Sequence, residues 1–299
     1  MSGDEYHGMY PALLIPMNPD YSVDIDALVD HINDMFDNGC KGAVIFGTTG
    51  EAASFSLDAK KKVLKGIIEK GIPPKRLMVG VGHSSIEETV DMIQTALSYN
   101  VLAVLWHPPY YFKNLSDDGV VEFYKQSIER VNNPSLKVIL YNFPMFTGVP
   151  LNHQIIERIY NLFPDTIVGI KDSGFDYDKT LALIKTFPKL KVYVGKDTDT
   201  SELVRNGAVG AIVALSNIAP RLMVSLYEYG LDNTKPNRND EINNLWGLIG
   251  RHYLICSVKA IMASQKGPKW NVALPPLFVI TPEQAQSLVQ GVKDANIGK

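Results

Sequence analysis

The chain has 299 residues and a formal net charge of −3, and 45% of its residues are hydrophobic. This composition can fill a large core, and it provides no basic stripe for nucleic acid or an anionic membrane surface. The first residues, MSGDEYHGMY, lack the basic and apolar regions of a signal peptide, and no apolar run approaches the ~18–20 residues of a membrane span. Cys40 and Cys256 lie outside any CxxC or Cys/His cluster, which indicates buried thiols in a reducing compartment. We therefore expect a cytoplasmic protein.

Short apolar, β-branched segments alternate along the chain with helical patterns. In the first helical pattern, Ile25, Leu28, Val29, Ile32 and Phe36 recur on one face. Eight strands, each followed by a helix at a spacing of roughly 20–35 residues, predict a parallel α/β sheet. Eight such units close as a (β/α)8 TIM barrel, and an open doubly wound sheet is the alternative. The predicted strands are Ala12–Ile15, Ala43–Phe46, Leu77–Val81, Leu102–Trp106, Val138–Tyr141, Ile167–Lys171, Val192–Val194 and Ala211–Ala214.

The C-terminal part of the sequence has a different pattern. A polar loop, DNTKPNRND, follows the eighth helix, and a long helical pattern then runs from Glu241 to about Ser264. A proline-rich break, ALPPLFVITP, precedes a last helix from Glu283. We therefore predict a barrel over residues 1–232 and a C-terminal helical appendage over residues 233–299 that covers the flank of the barrel.

Polar and aromatic residues follow several of the predicted strands. In a (β/α)8 barrel the reacting groups lie at the C-terminal ends of the strands. Lys171 and Tyr141 end neighbouring strands, so their side chains are expected to meet in one barrel mouth. The other residues in such positions are those of GTTGE (residues 47–51), Tyr110 and Tyr111 in HPPYYF, and those of GKDTD (residues 195–199).

The position of Lys171 has two interpretations. The side chain either bends back to water or lies buried as an unprotonated amine. Burial can lower the pKa of a lysine to ~7–8, a change worth roughly 4 kcal/mol against the charged form. A neutral amine attacks a ketone and forms an imine, which draws electrons from the adjacent carbon. Together with Tyr141 as a proton shuttle and the turn at Thr48 and Thr49 as a carboxylate-binding site, this lysine favours a 2-oxo acid as the substrate. Taken one at a time, each feature has an ordinary structural alternative: Tyr141 could be a core residue, and GTTGE could be a tight turn.

The motifs GTTGE, YNFP…TG and GIKDS, in this order, resemble the pyruvate-dependent class I aldolases and lyases. This family includes N-acetylneuraminate lyase, 4-hydroxy-tetrahydrodipicolinate synthase (DHDPS) and the 2-keto-3-deoxy-sugar-acid aldolases. The resemblance implies that Lys171 forms a Schiff base, that Tyr141 shuttles protons, and that Thr48 links it to a second tyrosine, Tyr111. In the family this tyrosine reaches a neighbouring subunit's site, which implies a homo-oligomer, a dimer or a tetramer. The substrate-binding positions implied are Gly47, Thr49, Gly195, Asp197 and Ile212.

Two departures from the family pattern bear on the substrate. Phe146 in FTG stands where the DHDPS enzymes carry an arginine for a second carboxylate, and Thr198 stands where the sialic acid lyases carry an acidic residue. We therefore expect a lyase that reversibly cleaves a 2-oxo-3-deoxy acid to pyruvate and an aldehyde. DHDPS, N-acetylneuraminate lyase, a dehydratase and a non-catalytic 2-oxo-acid binding protein remain alternatives.

The remaining histidines and motifs indicate no cofactor. His83 and His107 flank the predicted mouth without a third ligand at useful spacing, and the GxG after the third strand lacks the rest of a dinucleotide fingerprint. We therefore expect neither a metal nor another cofactor, and a small 2-oxo acid as the binding partner. His31 is predicted on the surface of the first helix and Trp106 in the core.

Overall fold

A computed structural model describes residues 4–295 of the chain, and in it eight parallel strands form one sheet. Consecutive strands pair from the second to the eighth, and the eighth pairs with the first. A bridge between Ala12 and Val44 spans the remaining gap, so the barrel is nearly closed. The predicted (β/α)8 TIM barrel is thereby confirmed. The strands are β1 (Gly8–Pro11), β2 (Ala43–Ile45), β3 (Leu77–Gly80), β4 (Ala103–Trp106), β5 (Val138–Asn142), β6 (Ile167–Asp172), β7 (Lys191–Val194) and β8 (Gly210–Val213).

Helices surround the barrel and continue beyond it. Most of them begin at a side chain that satisfies a free backbone N–H group; Ser85, for example, accepts a hydrogen bond from the Glu88 N–H at 3.2 Å. The helices are α1 (Ile25–Asp37), α2 (Leu57–Glu69), α3 (Ile86–Ser98), α4 (Asp117–Val131), α5 (Pro144–Thr147), α6 (His153–Leu162), α7 (Tyr177–Thr186), α8 (Thr200–Arg205), α9 (Pro220–Leu231), α10 (Asn239–Ile249), α11 (Leu254–Lys266) and α12 (Pro282–Asp294).

The first strand lies four residues before its predicted position. The prediction placed it at Ala12–Ile15, but the ladder to β8 runs from Gly8 to Pro11. The later segment is buried and extended, yet its backbone bonds are scattered: the Leu13 N–H donates to the Val44 carbonyl and the Leu14 N–H to Asn217 Oδ1. The apolar pattern therefore identified a segment that is buried, but not the segment whose backbone pairs with β8.

The C-terminal segment forms three helices where two were predicted. The single helix predicted from Glu241 to Ser264 was wrong, because α10 ends at Ile249 with Gly250 as its C-cap. Helix α10 buries one face, whereas α11 is buried at every position from Ile255 to Met262. The chain turns over residues 250–253 between these two helices. The division at residues 232 and 233 stays a prediction.

The core accommodates most of the residues that were predicted there. Cys40, Cys256 and Trp106 are buried as predicted. The prediction of a surface His31 was wrong, because its ring is fully buried and lies 4.8 Å from that of Trp270, which follows α11. The C-terminal appendage thus covers a face of α1 that would be exposed if the barrel stood alone. No helix within residues 4–295 combines the length and apolar character needed to cross a bilayer.

Candidate active site

Lys171 lies inside the barrel, one residue before the end of β6. It pairs in register with Tyr141 on β5, and its side chain is 4% exposed. The Lys171 Nζ lies 4.2 Å from the centre of the Tyr141 ring. Burial lowers the pKa of Lys171 to about 7, against a smaller opposing effect of the Asp197 charge. The lysine is therefore an interior amine and does not bend back to water.

Tyr141 and Thr48 form a hydroxyl pair beside this amine. The Thr48 Oγ1 and Tyr141 Oη atoms lie 3.1 Å apart, within hydrogen-bond distance. Burial raises the pKa of Tyr141 well above its usual value, although hydrogen bonding to Thr48 and Ser173 lowers it. The phenol is therefore neutral near pH 7. Ser173 was not predicted as a site residue, although it completes the KDS sequence that marked the strand end.

The GTTGE loop, which carries Thr48, is a compact turn after β2. The Gly50 N–H donates to the Gly47 carbonyl at 3.1 Å, and the Glu51 N–H donates to that of Thr48 at 3.0 Å. Thr49 is buried within the turn. Glu51 has a φ of +53°, a left-handed conformation that is unusual for glutamate. The turn thus holds the predicted residues Gly47, Thr48 and Thr49 together at the strand end.

A buried ion pair fixes this loop to the appendage. The Glu51 Oε1 lies 2.6 Å from Lys259 Nζ on α11, and both side chains are fully buried. Glu51 Oε2 also accepts a hydrogen bond from the Leu274 N–H at 2.7 Å. Sequence analysis did not predict this ion pair, because no local pattern connects two residues that lie so far apart along the chain.

Two further predicted residues, Gly195 and Asp197, follow the end of β7. Asp197 is 2% exposed and accepts a hydrogen bond from the Leu215 N–H at 3.0 Å. Burial raises the pKa of Asp197 to about 6. Gly195 has no room for a side chain, because a Cβ atom there would lie 2.0 Å from Ser173 Oγ. Ile212 on β8 is fully buried in the cluster that contains Tyr141.

Tyr111 is the one predicted catalytic residue that the chain does not bring to this group. Its side chain is 75% exposed, and its ring lies 5.3 Å from that of Phe112. Its neighbour Tyr110 instead lines a cavity together with Thr48 and Tyr141. The entry of Tyr111 into a neighbouring subunit's site stays a prediction.

This cavity has a volume of about 240 Å³ and opens beside the hydroxyl pair. Lys171 does not line this cavity. Its amine lies over the ring of Tyr141, and Tyr141 is one of the lining residues. Sequence reasoning missed most of the wall, whose apolar members include Phe143, Phe146, Tyr253, Ile255 and Leu277. Phe146 had been noticed only as a departure from a family pattern, and the last three belong to the distant C-terminal segment.

A larger cavity of about 550 Å³ lies elsewhere, against α6 and α7, and none of the predicted site residues lines it. Within residues 4–295, no group of three or more His, Cys, Asp or Glu side chains is arranged to hold a metal ion.

The fold and the residues at its strand ends place the chain among the (β/α)8-barrel lyases. A model of the dihydrodipicolinate synthetase family matches residues 5–295, and the chain belongs to this family. A 4-hydroxy-tetrahydrodipicolinate synthase of Ruthia magnifica subsp. Calyptogena magnifica is 29% identical, over 95% of this chain and 94% of that protein. An uncharacterized DapA-like lyase of Chloroflexus aurantiacus is also 29% identical, over 75% of each chain.

Solved structures agree with this placement. The dihydrodipicolinate synthase of Agrobacterium tumefaciens str. C58 superposes with a TM-score of 0.91 at 29% identity, and covers 97% of this chain and 99% of its own. A variant of the 2-keto-3-deoxygluconate aldolase of Sulfolobus solfataricus gives a TM-score of 0.86 at 20% identity, over 97% and 96% of the two chains. At that identity the second likeness shows the fold alone.

Proposed function

We propose that this protein is a Schiff-base-forming aldolase that reversibly cleaves a 2-oxo-3-deoxy acid to pyruvate and an aldehyde. The observation that carries the proposal is the buried amine of Lys171, whose pKa of about 7 leaves much of it neutral at physiological pH. A neutral amine is the nucleophile that imine formation requires. Such a reaction needs no cofactor, because the imine formed with the substrate is itself the electron acceptor.

The first half of the reaction joins the substrate to the enzyme. The Lys171 nitrogen attacks the keto carbon, and the resulting carbinolamine loses water to give a protonated imine. The Tyr141 hydroxyl, hydrogen-bonded to Thr48 at 3.1 Å, supplies the proton that departs with the water. The turn from Gly47 to Thr49 receives the substrate carboxylate through backbone N–H and hydroxyl groups.

The second half breaks the carbon–carbon bond. A proton leaves the C4 hydroxyl, the C3–C4 electron pair moves into an enamine, and the positive imine nitrogen accepts the charge. The aldehyde departs, C3 takes up a proton, and water releases pyruvate and the free amine. Because burial keeps Tyr141 neutral, the phenol acts as a relay that passes each proton to and from Thr48, and not as a resident phenolate base.

The test is to trap the imine. The protein is incubated with pyruvate, reduced with borohydride and digested, and the modified residue is identified by mass spectrometry. We expect the adduct on Lys171 and none in Lys171→Met. Lys60 provides a matched control, since it is also buried with a pKa lowered to about 8, and Lys60→Met should be modified normally. An adduct elsewhere, or none, would eliminate the proposal.

A DHDPS activity is the second candidate, because several similar relatives carry that name. It requires an acceptor with a second carboxylate, and the apolar Phe146 in the cavity wall offers that group no charge. Assays of pyruvate condensation with aspartate semialdehyde, and of pyruvate release from 2-oxo-3-deoxy acids and sialic acid, distinguish the candidates. A non-catalytic binding protein would form the Lys171 adduct and turn over none of these compounds.

A further inference from the structure

The walls of the 240 Å³ cavity differ in chemistry. Thr48 and Tyr141 give one wall its hydroxyl groups, whereas Phe143 and Phe146 give another an aromatic surface with ring centres 4.5 Å apart. The ring of Tyr253 lies 6.4 Å from that of Phe146 and extends this surface outward. A substrate held at the hydroxyl wall would therefore project its far end against aromatic rings.

The same cavity offers no positive charge to a substrate. None of its described lining residues is a lysine or an arginine. The charged lining residue is Glu51, which is held by Lys259 at 2.6 Å. Burial lowers the pKa of His107 to about 4, so its imidazole is neutral near pH 7. A second carboxylate or a phosphate on the far half of the substrate would lose its water against the aromatic wall without gaining a charged partner.

Hydroxyl groups on the substrate would also find few partners at the part of the wall formed by Phe143 and Phe146. Thr147 lines the cavity, but its hydroxyl already donates to the Phe143 carbonyl at 3.1 Å and accepts from the Val149 N–H at 3.2 Å. Phe146 and Tyr253 remain 45% and 46% exposed. Apolar surface left in water at the mouth of a site favours a ligand that covers it.

From these contacts we propose that the aldehyde half of the substrate is uncharged and apolar, with a single aromatic ring as the group that fits. This inference rests on the proposed aldolase function and specifies its substrate class. The volume supports one ring, because 240 Å³ lies below the ~300–1,000 Å³ of drug-sized pockets. The ring packs against the exposed surface of Phe146 and Tyr253 while the pyruvyl half remains with Lys171 and Tyr141.

The experiment measures condensation of pyruvate with three aldehydes. Benzaldehyde represents the apolar class, glyceraldehyde the polyhydroxy class and succinic semialdehyde the carboxylated class. We expect kcat/KM for benzaldehyde to exceed those for the other two by about 10-fold or more, the effect of burying one large apolar group. Preference for glyceraldehyde or succinic semialdehyde, or turnover of none, would overturn the inference.

Two variants of one residue sharpen the test. Phe146→Arg should lower kcat/KM for benzaldehyde and raise it for succinic semialdehyde, whereas Phe146→Leu should keep the order of the wild type. Trapping of pyruvate on Lys171 should be unchanged in both variants and shows that they are folded. Loss of trapping in the wild type would refute the aldolase itself. Normal trapping with the wrong aldehyde preference would refute only the inference about the substrate.

Discussion

The pH dependence of imine formation tests the central feature of the site, the lowered pKa of Lys171. Its pKa is about 7, against 10.5 for an ordinary lysine. At pH 7 about half of the chains would then carry a neutral amine, compared with roughly one in 3,000 at the ordinary value. The rate of adduct formation with pyruvate should therefore rise about tenfold per pH unit in acid and level off above about pH 7.

The assay follows adduct formation at a series of pH values from about 5 to about 9, on both sides of the expected midpoint. Each sample is quenched into borohydride at one common pH, so that the reduction step is the same throughout. Intact mass then gives the initial rate. Lys60→Met, which removes another buried lysine, should leave the profile unchanged. A rate that continues to rise tenfold per unit through about pH 9 would refute the lowered pKa.

The variant Asp197→Asn tests the cause as well as the value. The Asp197 charge raises the pKa of Lys171, so its removal should move the midpoint to lower pH, while the asparagine carbonyl still accepts from the Leu215 N–H. Because burial raises the pKa of Asp197 to about 6, the charge is present mainly above that value. Wild type and variant should therefore converge below about pH 6. A midpoint that moves upward would contradict the assigned interaction.

Three further predictions concern other parts of the structure. Tyr141→Phe should slow turnover by ~10²–10⁴ through lost proton transfer, and full activity would remove the phenol from the reaction. Lys259→Met should lower the free energy of unfolding in urea by about 3–5 kcal/mol, because it leaves the Glu51 charge buried without its partner. Adding Glu51→Gln should restore part of this stability. An unchanged urea midpoint in the single variant would contradict the ion pair. Burial lowers the pKa of His31 from 6.5 to about 4, so the folded state resists protonation and stability should fall as pH decreases from about 6.5 to about 4. His31→Gln should flatten this part of the stability profile, and an equal slope in the variant would show that other groups control acid unfolding.

The contact between Lys171 and Tyr141 could be predicted because it follows from topology. Both residues stand near the ends of consecutive strands, and consecutive parallel strands in a barrel are neighbours whose carboxyl ends share one rim. The local pattern of apolar runs was sufficient to place these strands. The pairing in register at Tyr141 and Lys171 then required no further information.

The features that were missed depend on contacts between distant segments. The first strand was misplaced because Ala12–Ile15 is as apolar as a paired strand, and only its partners distinguish it. His31 was assigned to the surface because a helix pattern does not show that Trp270 will cover it. The aromatic wall of the cavity combines Phe146 with Tyr253, and nothing local connects them.

The proposed reaction divides its chemistry and its choice of substrate between two parts of this chain. The barrel strands hold the amine and its phenol, whereas the C-terminal segment contributes Tyr253, Ile255 and Leu277 to the cavity wall. Lys259 on α11 also neutralises Glu51 at the end of the loop that carries Thr48. In the proposed reaction the appendage therefore acts in two ways, because it supports the loop that carries Thr48 and encloses the far end of the substrate. Substitutions at Tyr253, Ile255 or Leu277, which line the cavity, should alter aldehyde preference while the imine on Lys171 still forms.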